Sequence, residues 1–209
     1  KNILKSTVIL ANSYIPNYVD SGLESNFINK SFFSESANEK EALEAVKNLD
    51  YDKEKESLKF IYINSVENKK VCDEIANNMK KYMKIDVKCV GYDLNSFNNE
   101  ITKGNYDMAE ICYEGYYNYP LPFFQMWQSS STYNLYGYSN IDFDNKLAGT
   151  VFEKDINKKV EMFKNMENVL LIIPIYFNET IIITKNYVKD VYTNKMGNVK
   201  LDKAYLWKD

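Results

Sequence analysis

Apolar positions recur along residues 36–113 with two spacings that alternate along the chain. In some segments they return every three to four residues, which is typical of an amphipathic helix, and in others the spacing is typical of a strand. The pattern predicts helix, strand, helix, strand, helix and strand over residues 36–49, 57–63, 65–83, 85–90, 93–103 and 106–113. The first of these strands has apolar side chains on both faces, as in a sheet that is covered on both sides.

Polar residues and a glycine mark the predicted helix ends. Ser36 and Glu39 have the spacing of a capping box. Asn64 or Ser65 caps the second helix, and Gly104 ends the third. Strands that are joined through helices pair in parallel, and the connection is almost always right-handed. The sequence therefore predicts an α/β fold with a mostly parallel sheet flanked by helices.

The two ends of the chain have weaker periodicity. Residues 1–35 are predicted as loops with one short helix. Two further helices are predicted to begin at Asn140 and Asp155. Two further strands are predicted over residues 173–177 and 180–185. Residues 199–209 contain apolar side chains without an evident partner, which predicts an arm that pairs with another part of a larger molecule.

An aromatic segment follows the third predicted strand. Ten of the 28 residues at positions 113–140 are aromatic, and only Glu114 is charged. Prolines, glycines and a run of serines exclude regular structure from most of the segment. Because ligands of open parallel sheets bind outside the carboxyl ends of the strands, this position favours the wall of a ligand site over a cover for the core. The helix-like spacing of Phe123, Phe124 and Trp127 instead indicates core packing.

Composition narrows the classes of function. The 26 Lys and Arg stand against 29 Asp and Glu, and the net charge of -3 argues against a nucleic-acid partner. The absence of His removes the commonest acid–base catalyst and any Ser–His or Cys–His nucleophile pair. Cys72, Cys89 and Cys112 lack metal-ligand spacing and are predicted to be buried structural thiols. No catalytic residue, metal site or cofactor is predicted.

Five short runs follow one another between Ser36 and the C-terminus. They read K-F-I-Y-I, I-A-N-N-M-K-K-Y-M-K-I-D-V-K, G-N-Y-D-M-A, N-L-Y-G-Y-S-N-I-D-F-D and I-P-I-Y-F. Each run alone is weak, but in this order and combination the chain resembles the solute-binding proteins of peptide ABC importers, of the oligopeptide- and dipeptide-binding type.

The resemblance implies one lobe of a type II periplasmic-binding-protein-like fold, in a family whose members are more than twice this length. Residues 1–195 are expected to form the C-terminal lobe with half of the ligand cleft, and residues 196–209 to return towards a missing N-terminal lobe. The implied function is a substrate-binding component, not an enzyme, that binds peptides between two lobes and delivers them to an ABC permease. We expect a monomer, in the periplasm or lipid-anchored on the extracellular face of the bacterial membrane.

The family holds the ligand's amine with an aspartate in a W-x-x-D-Y-x-x-P-like run, which here reads Y-E-G-Y-Y-N-Y-P. Tyr116 stands at the aspartate position, and a phenol does not supply the charge-assisted hydrogen bond that a carboxylate gives an ammonium. Glu114, two residues away, is the candidate substitute. The predicted ligand-binding residues are Tyr113, Glu114, Tyr116, Tyr117, Asn118, Tyr133, Asn134 and Tyr136.

Three other functions stay open. The same fold with a sugar, an opine or a metal chelate as ligand fits the departure at Tyr116. An enzyme that uses a carboxylate pair, Glu110 with Glu114 or Asp142 with Asp144, lacks a recognised catalytic pattern. A purely structural interaction domain requires a flat surface at the strand ends.

Overall fold

The chain forms two compact units. The computed structural model describes residues 3–4, 8–16, 18–20, 22, 38–47, 57–179, 181–194 and 196–207. Unit 1 consists of Lys1–Ser6, Ser34–Tyr113 and Trp127–Asn140, and unit 2 consists of Thr7–Phe33, Glu114–Met126 and Ile141–Asp209. The aromatic segment at positions 113–140 is thus divided between the two units.

Helices and short strands make up the regular structure of the described residues. The helices are α1 (Glu39–Lys47), α2 (Val66–Asn78), α3 (Leu94–Lys103), α4 (Leu121–Gln125), α5 (Ile141–Phe152) and α6 (Ile156–Glu167). The strands are β1 (Ile9–Leu10), β2 (Leu58–Ile63), β3 (Val87–Tyr92), β4 (Met108–Ala109), β5 (Tyr176–Phe177), β6 (Val188–Lys189), β7 (Tyr192–Thr193), β8 (Val199–Lys200) and β9 (Tyr205–Leu206). A π-helical turn, Met79–Met83, prolongs α2.

Unit 1 is built on a three-stranded parallel sheet in the order β3–β2–β4. The central strand β2 pairs with β3 along its whole length and with β4 at Phe60 and Ile61. Since both neighbours run parallel to β2, the connections return through α2 and α3, as the alternating pattern predicts. The predicted α/β architecture with a parallel sheet is confirmed.

Both faces of β2 are covered. Phe60 and Tyr62 pack with Cys72 of α2 on one face, and Ile61 packs with Phe97 of α3 on the other. The three β2 side chains are no more than 4% exposed. The prediction of a strand buried on both faces is confirmed, and the burial of these large apolar side chains is the main stabilising contribution to unit 1.

Side-chain caps determine where several helices begin. Ser65, Asp93 and Asp155 accept hydrogen bonds from backbone N–H groups in the first turns of α2, α3 and α6. Gly104 ends α3 in the left-handed region, at φ 66°. These helix ends lie where the sequence predicts them.

The first helix begins later than predicted. The Asn38 Oδ1 accepts a hydrogen bond from the Glu41 N–H at 3.2 Å, and the Asn38 Nδ2 donates to the Glu41 Oε2 at 2.6 Å. These two residues form a reciprocal cap in front of α1. Ser36, where the sequence predicts a capping box with Glu39, lies outside the described residues.

Two of the three cysteines are joined. Cys72 of α2 and Cys89 of β3 form a disulfide with their Cα atoms 6.2 Å apart, whereas Cys112 is exposed. The prediction of three buried thiols is wrong, because the crossover that lays α2 on the sheet brings Cys72 over β3. The disulfide links α2 covalently to the sheet.

The core of unit 2 is aromatic. Phe124 of α4, Phe143 of α5 and Phe163 of α6 are at most 1% exposed. The rings of Phe124 and Phe163 are stacked with centroids 5.5 Å apart. The Tyr14 hydroxyl donates a hydrogen bond to the Phe123 carbonyl oxygen at 2.8 Å, which holds α4 against an N-terminal segment of the same unit.

Several predicted strands are shorter or absent. β4 is confined to Met108–Ala109 rather than residues 106–113. Within residues 173–177 only β5 is regular, and it pairs with β1. Residues 181–185 form no strand, and the described part of residues 1–35 contains no helix. The strand predictions were too long or wrong because a strand needs a partner that the local pattern does not reveal. The short helix predicted within residues 1–35 stays a prediction, because much of that stretch lies outside the described residues.

The C-terminal tail pairs within the chain. β8 pairs with β7 and β9 pairs with β6, all antiparallel. The Trp207 N–H also donates a hydrogen bond to the Tyr187 carbonyl oxygen at 2.7 Å. The prediction that the tail lacks a partner in this chain is wrong. The boundary between residues 1–195 and 196–209, and the return of the tail to another lobe, stay predictions.

Candidate functional site

The eight predicted ligand-binding residues are distributed over both units. Tyr113, Tyr133, Asn134 and Tyr136 belong to unit 1, whereas Glu114, Tyr116, Tyr117 and Asn118 belong to unit 2. Within each unit, some of these side chains form hydrogen bonds to the backbone, and others are exposed to solvent.

Asn134 organises the irregular segment at positions 128–138 of unit 1. Its Nδ2 donates hydrogen bonds to the carbonyl oxygens of Gln128, at 3.2 Å, and Tyr138, at 2.6 Å. Its Oδ1 accepts a hydrogen bond from the Tyr138 N–H at 3.3 Å. The side-chain amide thereby replaces the backbone hydrogen bonds that regular structure would provide.

Tyr136 and Trp127 join this segment to the core of unit 1. The two ring centroids are 5.1 Å apart. Tyr136 also packs against the core cluster that contains Ile61 and Phe97. Burial, with a smaller contribution from Tyr106, raises the pKa of Tyr136. Trp127 is buried as predicted, and much of the Tyr136 ring serves packing.

Tyr133 is the most open aromatic of this part of unit 1. Its side chain is 60% exposed, although it lies between Asn134 and Ser131, which fix the local backbone. Tyr113, the first residue of the aromatic segment and also part of unit 1, is half-buried. An exposed ring on a restrained backbone is suited to contact with a ligand because little conformational entropy is lost on binding.

In unit 2 a glycine sets the path of the aromatic segment. A Cβ on Gly115 would lie 2.6 Å from the Phe123 ring, so only glycine fits against that buried ring without a shift. The neighbouring rings of Tyr116 and Tyr117 are 66% and 46% exposed. The Asn118 Oδ1 accepts a hydrogen bond from the backbone N–H of Asp20 at 3.2 Å, which secures the far end of the turn.

Glu114 is the only carboxylate in the part of the aromatic segment that belongs to unit 2. Glu114 is exposed. Burial, and secondarily the charge of Glu114, raises the pKa of the Tyr18 phenol. An exposed carboxylate forms weak ion pairs because water competes for both partners. Phe123 and Phe124, which were predicted to be core residues, are buried at 4% and 0% exposure.

Glu110 of unit 1 entered the sequence analysis only as a candidate catalytic partner of Glu114. It follows β4 directly, and its Oε2 is buried and accepts no hydrogen bond from any described residue. Burial raises the pKa of Glu110 to about 7. Sequence reasoning had no signal for this position, because the strand predicted over residues 106–113 places Glu110 in its middle rather than at its end.

The described residues offer no metal site and no membrane span. No group of three or more His, Cys, Asp or Glu among them has the geometry to hold a metal ion. None of the helices in the described part of the chain is both long and apolar enough to cross a bilayer.

Comparisons with known proteins point to one group. No family model matches the chain. The dipeptide-binding protein DppE of Bacillus subtilis (strain 168) is 23% identical over 144 residues, which cover 67% of this chain and 26% of that protein. The periplasmic oligopeptide-binding protein OppA of Salmonella typhimurium is 25% identical over 154 residues, which cover 71% of this chain and 28% of that protein.

A solved structure matches nearly the whole chain. Haemophilus influenzae OppA, in complex with the peptide RPPGFSPFR, superposes with a TM-score of 0.79 at 22% identity, covering 99% of this chain and 42% of that chain. This chain therefore spans less than half of the proteins it matches. Over part of their length the chain is similar to these oligopeptide- and dipeptide-binding proteins, and it shares the fold of the matched part of the solved structure.

Proposed function

We propose that this chain is the C-terminal lobe of a substrate-binding component of an ABC importer, which binds peptides in a cleft between two lobes and delivers them to a membrane permease. The observation that carries the proposal is the match of 99% of the chain to a protein solved with a bound peptide. The curated relatives, DppE and OppA, are likewise named as binding proteins for peptides. These names favour a peptide over a sugar, an opine or a metal chelate, and a binding protein over an enzyme.

An exposed apolar surface in unit 2 supports the proposal of a second lobe. Leu171, Ile173, Ile181 and Ile183 are 94%, 77%, 66% and 92% exposed. Isolated exposed apolar residues are ordinary, but a run of them in alternating positions is typical of a surface that another part of a protein covers. The missing N-terminal lobe is the proposed cover.

The open aromatic rings are the proposed ligand contacts. Tyr116, Tyr117 and Tyr133 combine large apolar faces with hydroxyl groups that can meet both side chains and backbone groups of a peptide. Tyr113 and Tyr136 are proposed to contribute from half-buried positions, and Glu114 from an exposed one. Asn118 and Asn134 are proposed to act by holding the backbone that presents these rings.

The proposed mechanism is hinge closure. The ligand binds in the cleft, the lobes close over it, and the closed form docks on the permease. One lobe supplies half of the contacts, so the isolated chain should bind peptides far more weakly than the full-length protein. No cofactor is required for this mechanism, and a monomer suffices for it.

The disulfide supports a location outside the cytoplasm. Cys72 and Cys89 are joined, and structural disulfides persist in oxidising compartments such as the bacterial periplasm and the cell surface. We propose that the protein is periplasmic or is lipid-anchored on the extracellular face of the membrane.

The test is affinity capture from peptide pools. Immobilised full-length protein is incubated with pools of two to eight residues, and retained peptides are identified by mass spectrometry and titrated by calorimetry. The double variant Tyr116→Ala/Tyr117→Ala should weaken binding of a captured peptide about 10-fold or more, as for the loss of a central aromatic contact. Tyr187→Ala, which removes another exposed ring of unit 2, is the control and should bind as the wild type does. Capture of no peptide would overturn the proposal.

A further inference from the structure

One carboxylate oxygen of Glu110 has no hydrogen-bond partner in the described part of the chain. Its Oε2 is inaccessible to solvent and receives no hydrogen bond from the described residues. Nearly all buried polar atoms in folded proteins have a hydrogen-bond partner, and a carboxylate without one is costly to bury. A donor supplied by a ligand would remove this cost.

The backbone places Glu110 at the ligand-binding edge of the sheet. Its N–H donates a hydrogen bond to the Ile61 carbonyl oxygen at 2.9 Å, which continues the parallel ladder between β2 and β4 beyond Ala109. Glu110 thus stands at the carboxyl end of β4. In open parallel sheets this is the edge beyond which ligands bind.

The hydroxyl of Tyr62, on the strand next to Glu110, points away from it. Extending the pairing of Ile61 with Ala109 by one residue sets Glu110 beside Tyr62 of the central strand. The Tyr62 ring lies over Gly91 of β3, where an added Cβ would be 2.9 Å from the ring and 3.1 Å from its hydroxyl oxygen. Since β3 and β4 flank β2 on opposite sides, the Tyr62 hydroxyl lies on the side away from Glu110.

We propose that the Glu110 carboxylate binds the positively charged group of the ligand, the role left open by a tyrosine at position 116. This inference rests on the proposed function. The charged group is an ammonium or a guanidinium, either of which offers N–H donors and a charge opposite to that of the carboxylate. On a peptide it is the N-terminal amine or the side chain of Lys or Arg.

The electrostatics of the site agree with a cation as the missing partner. Burial raises the pKa of Glu110, and no charged neighbour among the described residues contributes. A cation brought within reach would stabilise the ionised form and lower that pKa again. Glu114 is the competing candidate, but its exposure makes an ion pair there weak.

Three peptide pools, built from Ala, Gly, Leu and Tyr, separate the two sources of charge. One has free amines, one is N-acetylated, and one is N-acetylated with a single Lys at varied positions. Dissociation constants for the full-length wild type and for Glu110→Gln, Glu110→Asp, Glu114→Gln and Glu161→Gln are measured on peptides retained from each pool. Glu161 lies exposed on α6 and serves as the matched control.

The wild type is expected to bind one of the two cationic forms about 10- to 100-fold more tightly than the acetylated, uncharged form, as for a hydrogen bond to a charged group. Glu110→Gln should abolish this preference, Glu110→Asp should retain part of it, and Glu161→Gln should leave it intact. The free-amine pool identifies the terminus as the source, and the Lys pool identifies the side chain.

Two results would overturn the inference while leaving the proposed function intact. One is a wild type that binds peptides without preferring a cation, as expected if a water molecule satisfies Glu110. The other is a preference that persists in Glu110→Gln but disappears in Glu114→Gln. A wild type that binds none of the pools would refute the proposed function itself, and this inference with it.

Discussion

At the scale of single residues, small and amide side chains shape the aromatic segment, and several of its tyrosine rings are exposed. Gly115 leaves room for the Phe123 ring, and Asn134 holds the turn at positions 128–138 with three hydrogen bonds. The rings of Tyr116 and Tyr133 stay exposed beside them. This division explains why substitution of Asn134 would alter the path of the backbone, whereas substitution of Tyr133 would remove a contact surface.

Glu110 should make the stability of the ligand-free protein depend on pH. Its pKa is about 7 in the folded protein and near 4.5 in the unfolded chain, so between these values the folded state holds a proton that the unfolded state has lost. Stability therefore falls as pH rises from about 4.5 to 7. The difference corresponds to roughly 3 kcal/mol at most.

Urea unfolding at pH 5 and pH 8 measures this effect. At pH 8 the free energy of unfolding of Glu110→Gln should exceed that of the wild type by up to about 3 kcal/mol, and at pH 5 by much less. Glu161→Gln, which alters an exposed carboxylate, controls for the change in net charge. A gap between Glu110→Gln and wild type that is the same at both pH values would show that burial does not perturb this carboxyl.

At the scale of elements, the helices were predictable because their signals are local. Ser65, Asp93 and Asp155 cap helices that begin where the sequence predicts. A cap requires a polar side chain and the backbone of the next turn, both within a few residues. The cap at Asn38 was missed because Ser36 with Glu39 and Asn38 with Glu41 have the same three-residue spacing. The hydrogen bonds between Asn38 and Glu41, which the sequence does not reveal, identify that pair as a cap.

Strands and cross-links were less predictable because they depend on distant partners. The predicted strand of residues 106–113 contracts to Met108–Ala109, since β2 offers pairing only there and at the flanking residues. The tail pairs with β6 and β7, which the sequence did not mark as strands. The same limit applies to Glu110. The lack of a hydrogen bond to its Oε2 can be recognised only when the donors around it are known.

The disulfide between α2 and β3 should be a substantial part of the stability of unit 1. Cys72 and Cys89 are 17 residues apart, and closing a loop of about that length contributes roughly 3 kcal/mol. The double variant Cys72→Ala/Cys89→Ala should therefore unfold at lower urea concentration, with Cys112→Ser as the control.

Alkylation followed by mass spectrometry checks the pairing directly. The native protein should accept one label, at Cys112, and the denatured but unreduced protein should still accept only one. Reduction should raise the number of labels to three, one for each cysteine. Three labels on the denatured, unreduced protein would contradict the disulfide.

At the scale of the whole molecule, residues 171–183 are the feature that unit 2 alone does not explain. Apolar side chains stand at most positions of the segment, as in strands of a sheet that is covered on both faces, yet β5 is the only regular structure among its described residues. Ile173 and Ile183 remain 77% and 92% exposed. This is the expected state of strands whose neighbours belong to another part of the protein.

Substitutions in this segment should have opposite effects in the isolated chain and in the full-length protein. Ile173→Lys and Ile183→Lys should reduce association of residues 1–209, measured by light scattering, because they break an exposed apolar surface. In the full-length protein the same changes should lower the free energy of unfolding by about 2–4 kcal/mol, because a charge would be buried beneath the second lobe. Val151→Lys on α5, 63% exposed, should have little effect in either. If the full-length protein tolerates both isoleucine substitutions as well as Val151→Lys, no second lobe covers this surface.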